Sequence, residues 1–233
     1  ARTLVPTAFS LRASHPILGD IVERVEVADY QASGAITLPT KLTVLVDHTA
    51  VSTVTLRAQS PGVDLSGPMP ESADGDFAKG ARLEVPAVLK AAKPAEAESP
   101  AVKVEDLAPG VWYLTGGAYY SVLVEFADHL VLIEAPVDEA RTKAILATAK
   151  ELRPAKPVTG LVVTHHHFDH IGGVRAAMAA GLTIYVRNSA EYFTMLAGRP
   201  HTLVPDGLST VSKPPTVTAV DDRLVLTDAT RTL

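Results

Sequence analysis

The sequence predicts an α/β (α+β) fold: a partial layered domain of sheet and helices, preceded by a small antiparallel β-rich segment. Three observations predict it. From Gly110 onward short apolar runs alternate with helical segments, the pattern of a sheet covered by helices. Residues 1 to about 66 hold Val-, Leu- and Thr-rich runs with no helical periodicity. Between them, prolines at 61, 68, 70, 86, 94, 100 and 109 interrupt the chain. The expected division is a β-rich segment over 1–66, a Pro/Ala-rich linker over 67–103 and the layered domain over 104–233.

The elements follow in order. Ile21 to Tyr30, Ile36 to Val46 and Val51 to Ala58 read as strands. Asp47-His48-Thr49-Ala50 forms a hairpin turn between the last two, and Gly34 and Pro39 punctuate the approach. In the linker, Ala87 to Ala97 is rich in Ala, Lys and Glu and reads as a short helix or a loose tether. Val111 to Thr115, Ser121 to Phe126 and His129 to Ile133 are three short strands, turning at Gly116-Gly117 and Ala127-Asp128. Glu139 to Leu152 is a helix by residue preference and spacing, ended by Pro154 and Pro157. Leu161-Val162-Val163 is a buried strand. Ile171 to Ala180 is a helix closed by Gly181. Leu182 to Val186 is a strand, and Ser189 to Leu196 is a helix capped by Asn188. Arg223 to Leu226 is a last strand, and Arg231-Thr232-Leu233 begins another. No internal repeat is visible.

Composition excludes several functions. The net charge is −5 and no Lys/Arg-rich run occurs, so neither a nucleic-acid partner nor a polybasic membrane anchor is expected. With no cysteine in 233 residues, disulfides and thiolate metal sites are excluded, and any metal must be held by His and carboxylate. No stretch of about 18 uninterrupted apolar residues predicts membrane insertion. The N-terminus has neither an initiator Met nor the apolar core of a signal peptide, so a processed form or a fragment of a longer chain is expected.

The chemistry is concentrated in Thr164-His165-His166-His167-Phe168-Asp169-His170. In an extended segment His165 and His167 point to the same side, so two imidazoles can chelate one ion. His166 then faces the other way, and Phe168 can turn away and pack. Asp169 and His170 sit where strand gives way to helix; Asp169 there caps the helix and, with His170, can face a second ion. Gly172-Gly173 leaves room for close backbone approach. Ligands of such sheets gather beyond the carboxyl ends of the strands. Two adjacent metals make a hydroxide at neutral pH and stabilise both attacking and leaving oxygens.

The run resembles the His-x-His-x-Asp-His signature of the metallo-β-lactamase superfamily. The order around it is similar too, with Val111-Trp112-Tyr113-Leu114, Ser121 to Ala135, then helix, strand and motif. The resemblance covers about residues 104 to 233. It implies the first half of an αββα sandwich with a zinc site: His165 and His167 on the first metal, Asp169 and His170 on the second, and Asp169 also orienting the nucleophile. Glu134, in Leu132-Ile133-Glu134-Ala135-Pro136, matches a supporting acid that the superfamily more often fills with Asp; a plain strand-end carboxylate explains it equally. The superfamily takes a third first-metal His, a bridging Asp and a last His from beyond the motif. Only His201 occurs among the 63 residues after His170, in a loop too early for that role, so those ligands are expected beyond Leu233. Leu224 to Leu233 looks like the strand pair before the third His. His15-Pro16-Ile17-Leu18-Gly19-Asp20, Asp29-Tyr30 and Ile36-Thr37-Leu38-Pro39 resemble a lipoprotein-carrier-like β segment found before this domain in some bacterial members. That tilts localisation to the periplasm or outside the cell, the cytoplasm remaining the alternative.

Other residues carry lesser readings. His201 could line the pocket mouth or substitute as a ligand, though capping or solvent exposure explains it more simply. Tyr119 and Tyr120 could donate to a substrate oxyanion, though strand packing is the plainer account. Ser121 has no His–Asp partner in sequence, so a serine nucleophile has no support. The expected function is a zinc-dependent hydrolase using one or two ions, with Fe or Mn as alternatives. A metal-bound hydroxide would attack an ester, lactone, amide or thioester of a small-molecule substrate. The competing readings are a non-catalytic metal- or substrate-binding fragment and an iron-dependent redox member of the same fold. Apolar edges left by a partial sandwich would favour a homo-oligomer.

Overall fold

The computed structural model describes residues 5–33, 36–56 and 101–233. The expected tether or helix at Ala87–Ala97, with most of the expected linker, lies outside the described residues. Contacts divide the chain into two compact units, Ala1–Ser10 with Glu23–Glu98 and Leu11–Val22 with Ser99–Leu233.

The first four strands form one sheet, ordered β1 (Ala8–His15), β2 (Gly19–Ser33), β3 (Ile36–Val46) and β4 (Thr49–Thr55), with β3 and β4 in the smaller unit. β2 and β3 pair antiparallel in a register that sets Val25 opposite Val44. The hairpin between β3 and β4 turns on two residues, Asp47 and His48, at φ 47° and 70°. Two consecutive left-handed residues match the right-handed twist of the flanking strands, so Thr49 and Ala50 already belong to β4. β1 was not expected from the sequence; Phe9 and Leu11 on it are both largely exposed, so it lacks the buried face that makes a strand legible.

The larger unit holds a seven-stranded sheet. Its strands are β5 (Lys103–Ala108), β6 (Val111–Thr115), β7 (Ser121–Glu125), β8 (Leu130–Ile133), β9 (Val158–Val163), β10 (Thr183–Arg187) and β11 (Thr216–Val220), in spatial order β11-β10-β9-β8-β7-β6-β5. β5 to β8 form an antiparallel meander and β8 to β11 run parallel. The helices are α1 (Glu139–Leu152), α2 (Phe168–Ile171), α3 (Val174–Ala179) and α4 (Ala190–Gly198). Asp138 caps α1 by accepting from the Arg141 amide at 2.7 Å.

Strand alternation sorts the core. Leu123, Leu132, Leu161, Ile184 and Val186 pack in one cluster with Ile145 and Ala149 of α1, Ala177 and Met178 of α3, and Phe193 and Leu196 of α4. Val124 and Val131, of the opposite parity, form a second cluster with Phe126, against which Leu226 packs. The α/β class therefore holds, with one helix layer on one sheet. Residues 11–22 belong to this unit: Ile17 is 6% exposed within the main core cluster. Their turn is tied down by Asp20, whose carboxylate accepts from the Thr202 and Leu203 amides at 2.9 and 3.1 Å.

Three expectations are corrected. The helix expected over 171–180 is two pieces. The loop after β8 crosses it, with the Gly173 amide donating to the Ala135 carbonyl at 2.9 Å. The cap expected from Asn188 is not formed; Asn188 takes a left-handed turn at φ 50° and Ser189 holds the N-cap position. β11 lies at Thr216–Val220, behind Pro214-Pro215, and not at Arg223–Leu226. Leu224 to Leu233 does double back as a short antiparallel pair, Thr227 bridging Thr232 and Leu226 and Leu233 exchanging backbone bonds at 2.9 and 2.8 Å. Asp228 curls it, accepting the amides of Ala127, Thr230 and Arg231. Those bonds, the Ala127 amide foremost, hold its carboxyl far below the usual range.

Candidate metal centre

β9 lies between β8 and β10 and delivers the motif at its carboxyl end. An extended backbone persists to His167, at φ −66° and ψ 143°, and α2 starts with the next residue. The extension puts His165 and His167 on one side, with ring centroids 4.6 Å apart. The turn of α2 then brings His170 back, its ring 4.1 Å from that of His165. Three imidazoles from six consecutive positions are thus gathered, all on exposed or half-exposed residues. Asp169 lies in the first turn of α2 and does not cap it; that position belongs to His167, with no side-chain cap bond. The Asp169 carboxylate instead stands 3.6 Å from His170 Nε2.

Glu134 supports the cluster from the end of β8. It is 8% exposed and adopts φ 67°, a strained conformation for a residue with a Cβ. One carboxylate oxygen accepts from the Thr164 amide at 2.8 Å and the other is 3.1 Å from His170 Nδ1. Thr164 Oγ1 is 3.0 Å from His165 Nδ1. The Gly172-Gly173 pair is needed for close approach: a Cβ on Gly172 would meet the Val137 carbonyl oxygen at 1.9 Å, and one on Gly173 the Thr142 hydroxyl at 1.9 Å.

The remaining candidates are dispersed. The His166 ring lies 5.3 Å from that of His167 and 6.0 Å from Tyr192. Phe168 does not pack; it is 66% exposed. Tyr120 rests on Tyr113 at 5.1 Å, and its neighbour Tyr119 is the one near the cluster, 6.3 Å from His170. His201 is neither exposed nor beside the other histidines. It is 6% exposed, its Nδ1 3.8 Å from Asp206, in a cavity wall shared with Arg175. Burial, and then the Arg175 guanidinium, push its imidazole below the ordinary value. Asp206 would be raised by burial, but the Arg175 guanidinium and Ser209 outweigh that and hold it far below the carboxylate range. Sequence reading missed this Arg175–Asp206 pair; 31 positions separate its members and neither carries a motif.

The donor chemistry fits a divalent cation. Three imidazoles and a carboxylate are the ligand types zinc takes in the absence of thiolates. His170 also lies between two carboxylates, at 3.1 Å on Nδ1 and 3.6 Å on Nε2. A neutral imidazole has one N–H, so if it serves Glu134, the Nε2 lone pair faces Asp169 and calls for a cation there. Among the described residues no group of three or more His, Asp or Glu side chains is posed to hold an ion unaided.

Comparison with known proteins gives the frame. A linear primary-alkylsulfatase from Pseudomonas sp. is 31% identical over 77 residues, covering 30% of this chain and 11% of that protein. The metallo-β-lactamase FIM-1 from Pseudomonas aeruginosa, solved in its mono-zinc form, aligns with 52% of this chain and 51% of its own at 22% identity and a TM-score of 0.39. A metallo-β-lactamase from Hirschia baltica aligns with 42% of this chain and 49% of its own, at 26% identity and a TM-score of 0.37. The chain thus spans about a tenth of the curated relative and half of each solved structure. The sequence model described as "Metallo-beta-lactamase superfamily" matches residues 114–231, just over half of the chain, and so the chain belongs to the metallo-β-lactamase superfamily.

Proposed function

We propose that this chain supplies the first ligands of a zinc-dependent hydrolase centre: His165 and His167 toward one cation, Asp169 and His170 toward a second. The observation that carries the reading is the convergence of the three imidazoles, at 4.1 and 4.6 Å between centroids, on the carboxyl end of β9. When bound, a divalent cation supplies Lewis acidity and makes water acidic enough to act as a nucleophile near neutral pH. The chain's own residues do the rest. Glu134 orients His170 and anchors the Thr164 backbone, and Asp169 orients the nucleophile. Substrates are small molecules carrying an ester, lactone, amide or thioester, and the alkylsulfatase likeness adds sulfate monoesters to those worth testing.

A second reading, a stretch that binds a metal or substrate without catalysing, is favoured by the lack of a self-sufficient ligand group among the described residues. Zinc titration followed by metal analysis tests the ligand assignment. The wild-type chain takes up more zinc than His167→Ala; equal uptake by both would overturn it.

A further inference from the structure

We infer that Ser121 is a positioning residue for the histidine cluster, acting through the backbone of Glu134. The inference rests on the proposed ligand role of His170 for its consequence and on the hydrogen bonds alone for its geometry. Ser121 opens β7 and is 1% exposed. Its hydroxyl donates to the Glu134 carbonyl oxygen at 2.9 Å, in a buried setting.

The ladder explains why this bond matters. β7 and β8 pair antiparallel up to Val122 opposite Ile133, which leaves Ser121 and Glu134 one step beyond the last pair. Glu134 cannot continue the strand, because its φ of 67° is left-handed. Its amide still completes the β8–β9 ladder, donating to the Val162 carbonyl at 2.9 Å, but its own carbonyl turns out of the ladder and loses its donor there. A buried carbonyl without a donor is costly. The Ser121 hydroxyl is that donor, and with it the left-handed turn is held from both sides. The turn in turn sets the side chain. From this backbone the two carboxylate oxygens reach the Thr164 amide at 2.8 Å and His170 Nδ1 at 3.1 Å. The same loop continues to Val137, also left-handed at φ 68°, whose carbonyl lies against Gly172. Ser121 is thus linked to the cluster without touching it.

The test compares Ser121→Ala with Ser121→Thr, which keeps the hydroxyl, in the full 233-residue chain. The first readout needs no metal. The Nδ1 proton shared by His170 and Glu134 should give a downfield imidazole NMR signal, identified by its loss in His170→Gln. It should weaken or vanish in Ser121→Ala and return in Ser121→Thr. The second readout is cobalt(II) titration followed by visible absorption. Loss of an outer hydrogen bond should weaken binding about tenfold or more, while His166→Ala leaves it unchanged. An Nδ1 signal in Ser121→Ala identical to the wild type overturns the inference. Absence of cobalt binding in the wild type would count against the proposed metal centre alone, and the NMR comparison would still decide the role of Ser121.

Discussion

Replacing Gly172 with Ala should destabilise the larger unit more than the same change at Gly181 or Gly198. The new Cβ would stand 1.9 Å from the Val137 carbonyl oxygen, 2.4 Å from its carbon and 2.9 Å from the Phe168 carbonyl oxygen. All three are backbone atoms, so no flexible side chain can swing aside. Overpacking of this kind costs about 1–3 kcal/mol, and rigid neighbours put it near about 3 kcal/mol. For a domain of this size Tm falls by about 2–4 °C per kcal/mol, a drop of about 10 °C. Two other glycines separate space from backbone conformation. Gly181 has φ 83° but nothing within 4 Å of an added Cβ, so Gly181→Ala carries only strain, about 1 kcal/mol. Gly198, the last residue of α4, also has open space and an ordinary φ, so Gly198→Ala is neutral or stabilising by up to about 1 kcal/mol. Thermal melts followed by far-ultraviolet circular dichroism rank the three. A Gly172→Ala melt no lower than that of Gly181→Ala would refute the claim that the Val137 loop presses on the motif helix.

The remaining predictions concern the loop at 199–206 and the turn at 15–20. His201 is buried and its imidazole lies below the ordinary value, so protons enter the unfolded chain before the folded one. Stability should therefore fall as pH drops below about 6.5, by at most about 1.4 kcal/mol per pH unit from this residue. Urea denaturation at pH 7 and 5 should show a smaller loss in His201→Gln, and equal losses would remove His201 as the cause. Ile17→Ala should cost about 2–4 kcal/mol in urea denaturation of the larger unit, as truncation of a core residue does. An effect below about 0.5 kcal/mol, the range of surface changes, would show that residues 11–22 are not part of that core.

Much of this was legible along the chain because it is written locally. α1 spans Glu139–Leu152 as its spacing predicts, since helical periodicity and the closing prolines lie within the same 20 residues. β6, β7 and β8 fall where short apolar runs meet turn residues. Hidden elements lacked such signals. β5 is exposed along its length, and β11 is a Thr/Val run behind two prolines. The break between α2 and α3 comes from a loop some 35 positions away, which no window over residues 171–180 contains.

The candidate site divides the same way. By itself the sequence determined where the candidate donors lie: His165 and His167 share a side because extended backbone alternates, and Asp169 and His170 follow because the strand ends there. Only the tertiary structure decided what surrounds them. Glu134 reaches His170 across 36 positions, Ser121 reaches Glu134 across 13, and His201 is withdrawn into a wall with Arg175 and Asp206. Local patterns are set by steric preference within a few residues. Partners brought together by packing depend on how the whole sheet closes, and no stretch of sequence records that.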